Sequence, residues 1–453
     1  MKTYKLAIAG GGSTYTPGII RSLMERLEDL PLSEIRFYDI DGERQSKVVI
    51  AAKAVISEYT DKIVIVDTTD PETAFTDADF VFAQMRVGKY KMRELDEKIP
   101  LSHDVVGQET CGPGGLAYGL RTISPMVELI DFVEQYAKET CWIVNYSNPA
   151  SIVAEAVRKL RPKARVLNIC DMPVATMRNM SAILGVNRED LVVDYFGLNH
   201  FGWFTKVEVD GVDRLPELRE HIHKHGLLTE DISKIDYRHA DASWIKTFKN
   251  IKLIMDFFPE YIPNPYLQYY LLPDLIVETS NKEYTRANEV MNGREKTLFE
   301  TVKQYEETGV LSDQFHVGVH GIFIVDVTVS LAKNLGKRYL VMVENNGTIP
   351  NLPDDAMVEV PCLINADGPA PEYVGDIPYF YKAMIDQQLA SEKILVEAIT
   401  EGSYEKALQA FTLNKTLPSS RVAKAVLDDL IEANKAYWPE LKIKYRDGVL
   451  IHS

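Results

Sequence analysis

Short β-type runs alternate with helical stretches from the N-terminus to about residue 195, and that rhythm leaves few folds open. Lys5–Ala9 is an apolar run that ends in three glycines, and Gly18–Leu30 follows with helical periodicity. Glu34–Ile40 is β-type again and Glu43–Tyr59 is helical. Ile63–Val66 and Asp79–Met85 are further strand candidates. Val127–Thr140 reads as a helix before the strand Trp142–Asn145, and Ser151–Leu160 as a helix before the strand Arg165–Ile169. Strand, helix, strand at this spacing predicts an α/β fold with a Rossmann-like, doubly wound parallel sheet.

The pattern changes near Asp194. Tyr195–Val209 is strand-rich, with Asp210-Gly211 as a hairpin signal. Long helical stretches follow at Arg286–Thr308, Gln388–Glu401, Tyr404–Asn414 and Ser420–Lys435. A strand pair is expected at Ile322–Leu331 and Tyr339–Glu344, with a break at Asn345–Gly347. The expected organisation is a nucleotide-binding domain over 1–195 and an α+β domain over 196–453 for substrate and oligomer contacts. No internal repeat or low-complexity segment interrupts it.

Charge narrows the function. Lys and Arg total 50 against 66 Asp and Glu, a net charge of −16. A nucleic-acid binder or a basic membrane-surface protein needs the opposite balance. Anionic small molecules stay possible, because a few arginines in a pocket can hold a phosphate. The start, MKTYKLAIAGGGSTY, does not read as a signal or transit peptide. No apolar run approaches the ~18 residues that span a bilayer. The four cysteines, Cys111, Cys141, Cys170 and Cys362, form no C-x-x-C pair. A reducing cytoplasm is expected, with any functional Cys acting as a thiolate.

Several constellations carry chemistry. Gly10, Gly11, Gly12 and Ser13 follow the first strand and open a helix. Gly10 and Gly12 fit the first two glycines of a dinucleotide-binding turn, whereas Tyr15 stands where a third small residue is usual. Asp39 ends the next β-type run, IRFYDI, where an acid can accept from an adenosine ribose and disfavours a 2′-phosphate. NAD is therefore the expected cofactor; a plain structural turn with an N-cap Asp is the bland alternative. Cys170, in LNICDMP, ends a strand, and His200 lies in GLNHFGW. Each alone reads as a buried small side chain or a turn histidine. Together they could be a borderline-soft metal pair, too few for a structural zinc and suited to a catalytic ion with open positions. Asp171 reads either as a functional acid or as the N-cap of the helix that starts at Pro173.

Gly112-Pro113-Gly114-Gly115 is expected to be a backbone-rich loop, either plain surface or in contact with a cofactor. Asn148-Pro149 follows a strand at the sheet edge where such folds place ligands; a simple turn is the alternative. Arg93 and Arg286 could each hold an anion through a guanidinium fork. Tyr266 sits in the aromatic cluster PNPYLQYYLLP, and core packing explains it locally. His221, His223 and His225 read as a solvated helix end rather than a metal site.

These segments together resemble glycoside hydrolase family 4. The likeness runs through AGGGSTYTPG, RVGKYKMRELDE, GQETCGPGG, NYSNPA, NICDMP, GLNHFGW, YLQYYLLPD, TRANEVM, VENNG and DDAMVEVPC, almost end to end. The Cys-Asp-x-Pro form of NICDMP is similar to the branch acting on 6-phosphorylated α-glucosides such as maltose 6′-phosphate. The β-glucoside branch typically has Asn after the Cys, and the α-galactosidase and α-glucuronidase branches have His.

The family is a known exception to two-carboxylate glycosidase chemistry. In it, bound NAD⁺ takes hydride from C3 of the sugar, and the ketone acidifies C2–H. A base removes that proton, the C1–O bond breaks by elimination, water adds, and the hydride returns. The resemblance implies a divalent ion, Mn²⁺ among the candidates, on Cys170 and His200. It implies Tyr266 as the base at C2 and Asp171 as the acid on the leaving oxygen. It also implies Arg93, Asn148 and Arg286 as substrate contacts, NAD on Gly10–Ser13 and Asp39, and a homodimer or homotetramer. A 6-phospho-β-glucosidase is the nearest alternative. A 2-hydroxy-acid-type oxidoreductase is the alternative from another class, since a strand leading into Asn-Pro also suits lactate and malate dehydrogenases.

Overall fold

The computed structural model describes residues 2–229, 242–310, 319–446 and 449–450. Its main strands, in chain order, are β1 (Tyr4–Ala9), β2 (Leu32–Tyr38), β3 (Val64–Thr68), β4 (Phe80–Ala83), β5 (Trp142–Asn145) and β6 (Val166–Asn168). They are followed by β7 (Val192–Leu198), β8 (Phe201–Val209), β9 (Val212–Asp213), β10 (Ile262–Pro263), β11 (Lys337–Glu344), β12 (Met357–Asn365) and β13 (Gly368–Pro371). The first six pair in parallel in the order β3-β2-β1-β4-β5-β6. That is the doubly wound dinucleotide-binding order. Strands β4 and β5 are buried along their whole length, as strands covered by helices on both faces must be.

Three strands from the C-terminal half extend this sheet. β11 pairs antiparallel with β6 at Met342 and Asn168, and β12 and β13 follow antiparallel beyond it. A second sheet, β10-β8-β7 with β9 on β8, stands beside the first. Asp210 and Gly211 form the β8–β9 turn with φ of 51° and 78°, as the hairpin signal predicts.

Two sequence expectations are overturned. The stretch 322–331 is not a strand: Val319–Lys333 is a helix. Its Ile, Val and Thr residues read as a buried β run, but Phe323, Ile324, Val325 and Val327 are all buried within a helix. When a helix is covered nearly all round, no amphipathic period survives to distinguish it from a buried strand. Arg26 pairs with Asp326 at 2.6 Å and fixes this helix beside the end of the helix Thr16–Glu25.

The glycine segment 112–115 is not a loop either. It opens the 25-residue helix Gly112–Tyr136, with Pro113 in the first turn, where a missing N–H is harmless. The glycines serve close packing. A Cβ on Gly114 would stand 2.4 Å from the carbonyl oxygen of Gln108 and 2.5 Å from that of Asp96. The C-terminal helices Tyr379–Glu401, Tyr404–Leu413 and Ser420–Ala433 pack against this helix through Leu116, Leu120, Leu395, Phe411 and Leu427.

Candidate functional site

One large cleft, about 1320 Å³, opens along the carboxyl edge of the parallel sheet. The ends of β1, β2, β5 and β6 deliver Gly10, Gly12, Ser13, Asp39, Asn148 and Cys170–Asp171 to it, while Gly11 lies behind the lining, and the second sheet brings His200 and Tyr266 to the opposite wall. Arg93 and Arg286 also line it.

The glycine turn is held from behind. Gly10 and Gly11 donate to the carbonyl of Tyr38, and Gly12 N–H donates to Asp39 Oδ2 at 3.0 Å. Gly10 has φ of +86°, and a Cβ there would lie 2.7 Å from the carbonyl oxygen of Gln84. Asp39 Oδ1 accepts from Asp41 N–H at 3.0 Å. Asp39 thus ties the turn to β2 and presents a half-buried carboxylate to the cleft.

Cys170 Sγ lies 3.2 Å from His200 Nε2, and both side chains are buried. His200 closes the two-residue turn between β7 and β8 with φ of +62°, an uncommon conformation for a non-glycine residue. Its Nδ1 is 3.1 Å from Thr110 Oγ1, and Thr110 Oγ1 donates to Gln108 Oε1 at 3.1 Å. Gln108 Oε1 also accepts from the Thr110 and Cys111 amides, so it is acceptor-locked. This chain places the imidazole proton on Nδ1 and leaves Nε2 with a lone pair facing the thiol. Burial pushes His200 down to about 4, so the ring is neutral. Burial pushes the Cys170 thiol well up, with Asp171 and Glu359 adding to the effect. The Met172 amide, at the start of the helix Met172–Leu184, donates to Cys170 Sγ at 3.5 Å and favours the thiolate.

A neutral imidazole and a helix-capped sulfur facing each other fit a borderline-soft divalent ion, whose binding would release the thiol proton. Among the described residues no cluster of three or more His, Cys, Asp and Glu could hold a metal. Two protein donors would leave positions open for substrate oxygens. If Thr110 orients His200 in this way, T110V should weaken Mn²⁺ binding about 10- to 100-fold and T110S should restore it. Titration of Mn²⁺ followed by electron paramagnetic resonance checks this. Equal affinity in T110V would remove Thr110 from the site.

Tyr266 stacks on His200, with ring centroids 4.0 Å apart and planes 11° apart. Its backbone is set by Asn264, whose side chain accepts from Tyr266 N–H at 3.0 Å within the short turn Pro265–Leu267. Burial pushes the Tyr266 phenol well above its ordinary value, with Tyr269, Cys111 and Cys170 adding to it. Asp171 occupies the N-cap position of its helix, but its side chain accepts no capping bond. It is instead in hydrogen-bond contact with Tyr146, whose phenol burial and Asp171 together push well up.

Both expected arginines line the cleft, and each carries carboxylate partners. Arg93 is buried and bonded to Glu97 at 2.8 Å and Glu109 at 2.9 Å. Burial would raise Glu109, but Arg86 and Arg93 overcome it and hold that carboxyl at about 2. Arg286 pairs with Glu289 at 2.7 Å and is half-buried. The three histidines lie in the last turns of the helix Leu215–His225, where His223 pairs with Asp256 at 2.7 Å and His221 faces the carbonyl of Leu228.

Comparison with known proteins decides the family. The family 4 glycosyl hydrolase model matches residues 5–186, and the family 4 glycosyl hydrolase C-terminal domain model matches residues 195–417. The chain belongs to glycoside hydrolase family 4. A maltose-6′-phosphate glucosidase of Fusobacterium mortiferum is 51% identical over 448 residues, covering 98% of this chain and 100% of that protein. A 6-phospho-alpha-glucosidase of Leptotrichia buccalis is 50% identical, over 98% of this chain and 100% of its own length. The crystal structure of a 6-phospho-alpha-glucosidase from gut microorganisms, in complex with NAD and glucose-6-phosphate, superposes with a TM-score of 0.95 at 54% identity. It covers 98% of this chain and 100% of that one. A second such enzyme, in complex with NAD and Mn²⁺, gives 0.93 at 44% identity, with 97% and 100% covered.

Within this family 4 chain, sequence reasoning missed Thr110, Tyr146 and Glu109 as neighbours of the site residues. Thr110 and Glu109 lie inside GQETCGPGG, yet nothing in a single sequence says which member of such a segment faces His200. Tyr146 follows a strand inside NYSNPA, and its position at the sheet's carboxyl edge was the available signal.

Proposed function

We propose that this chain hydrolyses 6-phosphorylated α-glucosides, maltose 6′-phosphate foremost, to glucose 6-phosphate and the free aglycone. The observation that carries the reading is the meeting of Cys170-Asp171, at the end of β6, with His200 and Tyr266 across one cleft beside the glycine turn. When bound, NAD⁺ would supply a hydride acceptor that is restored each turnover, and a divalent ion such as Mn²⁺ would polarise sugar oxygens as a Lewis acid.

The chain's own residues supply the rest. Gly10–Ser13 and Asp39 hold the dinucleotide, and Cys170 and His200 hold the ion. Tyr266 takes the C2 proton. Its buried phenol is protonated unless a cation stands close, so its position against His200 couples the base to the ion. Asp171, steadied by Tyr146, gives a proton to the leaving oxygen. Arg93, Asn148 and Arg286 contact the sugar phosphate portion. Because Glu97 and Glu109 already neutralise Arg93, its part is to shape the wall rather than to add net charge.

The enzyme works in a reducing cytoplasm, as a homodimer or homotetramer like other family members, with its nucleotide part before about residue 195. All four cysteines are unpaired and buried, which agrees with a reducing compartment. Among the described residues no helix is long and apolar enough to cross a membrane. A panel of α- and β-glucosides, with and without the 6-phosphate, tests the substrate. Turnover of the phosphorylated α-glucosides alone is expected. Preference for a β-glucoside or an unphosphorylated sugar would overturn the assignment.

A further inference from the structure

Arg294 lines the cleft, and the catalytic scheme gives it no role. It lies in a π-helical turn, Met291–Glu295, inserted between the helical segments Arg286–Val290 and Lys296–Thr308. Such wide turns often re-aim a side chain at a functional site. The neighbouring Glu295 pairs with Arg44 at 2.5 Å, and Arg44 Nε donates to the carbonyl of Gly12 at 2.9 Å. The turn is thereby anchored to the glycine loop.

The guanidinium of Arg294 lies 4.2 Å over the ring of Tyr15. It donates to the hydroxyls of Tyr15 at 2.5 Å and Tyr90 at 3.2 Å. Tyr90 in turn meets Thr14 at 3.1 Å, so the group closes over residues 14 and 15, where the helix Thr16–Glu25 begins. Nearby, Arg86 and Arg93 share Glu109, and Arg93 also takes Glu97. Among the described residues no carboxylate pairs with Arg294, whose partners are the hydroxyls of two tyrosines. Its Nε is buried with no partner at all. A guanidinium has five N–H donors, and a half-buried cation with a nitrogen shut off from water is normally matched by an anion. A cation with unused donors, set beside a helix N-terminus, is arranged for a tetrahedral oxyanion.

The geometry points to Arg294 as a phosphate-binding residue that closes the cleft from the C-terminal half, making a charge-assisted contact with a phosphate oxygen of a bound ligand. The inference rests on the reading that the cleft takes phosphorylated ligands. Two sources offer that chemistry, the pyrophosphate of the dinucleotide and the 6-phosphate of the sugar, and binding measurements on the full-length protein with Mn²⁺ separate them.

Calorimetric titration of NAD⁺, adenosine, glucose 6-phosphate and glucose compares wild type with R294Q, which keeps donors for the two phenols and removes the charge. R294Q should bind one of the phosphorylated ligands about 10- to 100-fold more weakly, while its unphosphorylated counterpart is unaffected. A loss confined to NAD⁺ assigns the contact to the pyrophosphate. A loss confined to glucose 6-phosphate assigns it to the sugar. Equal binding of both phosphates by R294Q, with wild type binding them, overturns the inference and leaves the functional reading intact. Binding of neither by wild type overturns the functional reading and the inference with it. If R294Q does not fold, a wild-type structure with both ligands decides. A phosphate oxygen at hydrogen-bond distance from the Arg294 guanidinium supports the contact, and its absence refutes it.

Discussion

Y266F is expected to abolish exchange of the sugar C2 proton with deuterated solvent and to lower turnover by about 10²–10⁴-fold. The substitution keeps the ring that stacks 4.0 Å from His200, so binding of glucose 6-phosphate should change little. What it removes is the oxygen that can accept a proton. Burial pushes that phenol well above its ordinary value, which makes it a poor base in the protein alone. Exchange should therefore vanish in the wild type as well when divalent metal is chelated. Nuclear magnetic resonance of recovered glucose 6-phosphate reads both results. Wild-type exchange in Y266F would assign the base to another group.

D171A separates substrates by leaving group. With the natural disaccharide, loss of the proton donor should cost a further ~10²–10⁴-fold. With an activated phenolic aglycone, which departs without protonation, activity should survive. Stability supplies an independent readout. Losing a true N-cap costs about 1 kcal/mol, but the Asp171 side chain makes no capping bond. The melting temperature of D171A should thus stay close to that of wild type. Equal loss on both substrates would sink the acid role, and a large loss of stability would favour the capping role.

Much of this was legible in the sequence, for reasons particular to each residue. The alternation of β-type and helical runs names a parallel sheet because β1, β4, β5 and β6 are short, apolar and separated by crossover helices. Gly10 announces itself because no other residue tolerates its backbone so close to Gln84. Val319–Lys333 was misread because a helix buried nearly all round carries the residue types of a strand. Gly112–Gly115 was misread because its glycines answer to Gln108, Asp96 and Thr110, contacts made only on folding.

The site residues show the same division. Cys170, Tyr266 and His200 look like core residues locally, and they are indeed buried or half-buried. Only their meeting across the cleft, or their likeness to a family, separates them from the core. Charge alone does not tell Arg93 from Arg294. The first is neutralised by Glu97 and Glu109, and the second has no carboxylate partner among the described residues. Carboxylates that neutralise an arginine in space leave no local trace in the chain.

In the proposed reaction, one cleft uses a dinucleotide and a divalent ion together to hydrolyse a phosphorylated α-glucoside without net oxidation. Its most direct test is release of glucose 6-phosphate from maltose 6′-phosphate by protein stripped of both, with NAD⁺ and Mn²⁺ supplied singly and together while NADH is monitored. Release is expected only when both are present, with no NADH accumulating as turnover proceeds. Full activity without either, or NADH formed in step with product, would contradict it.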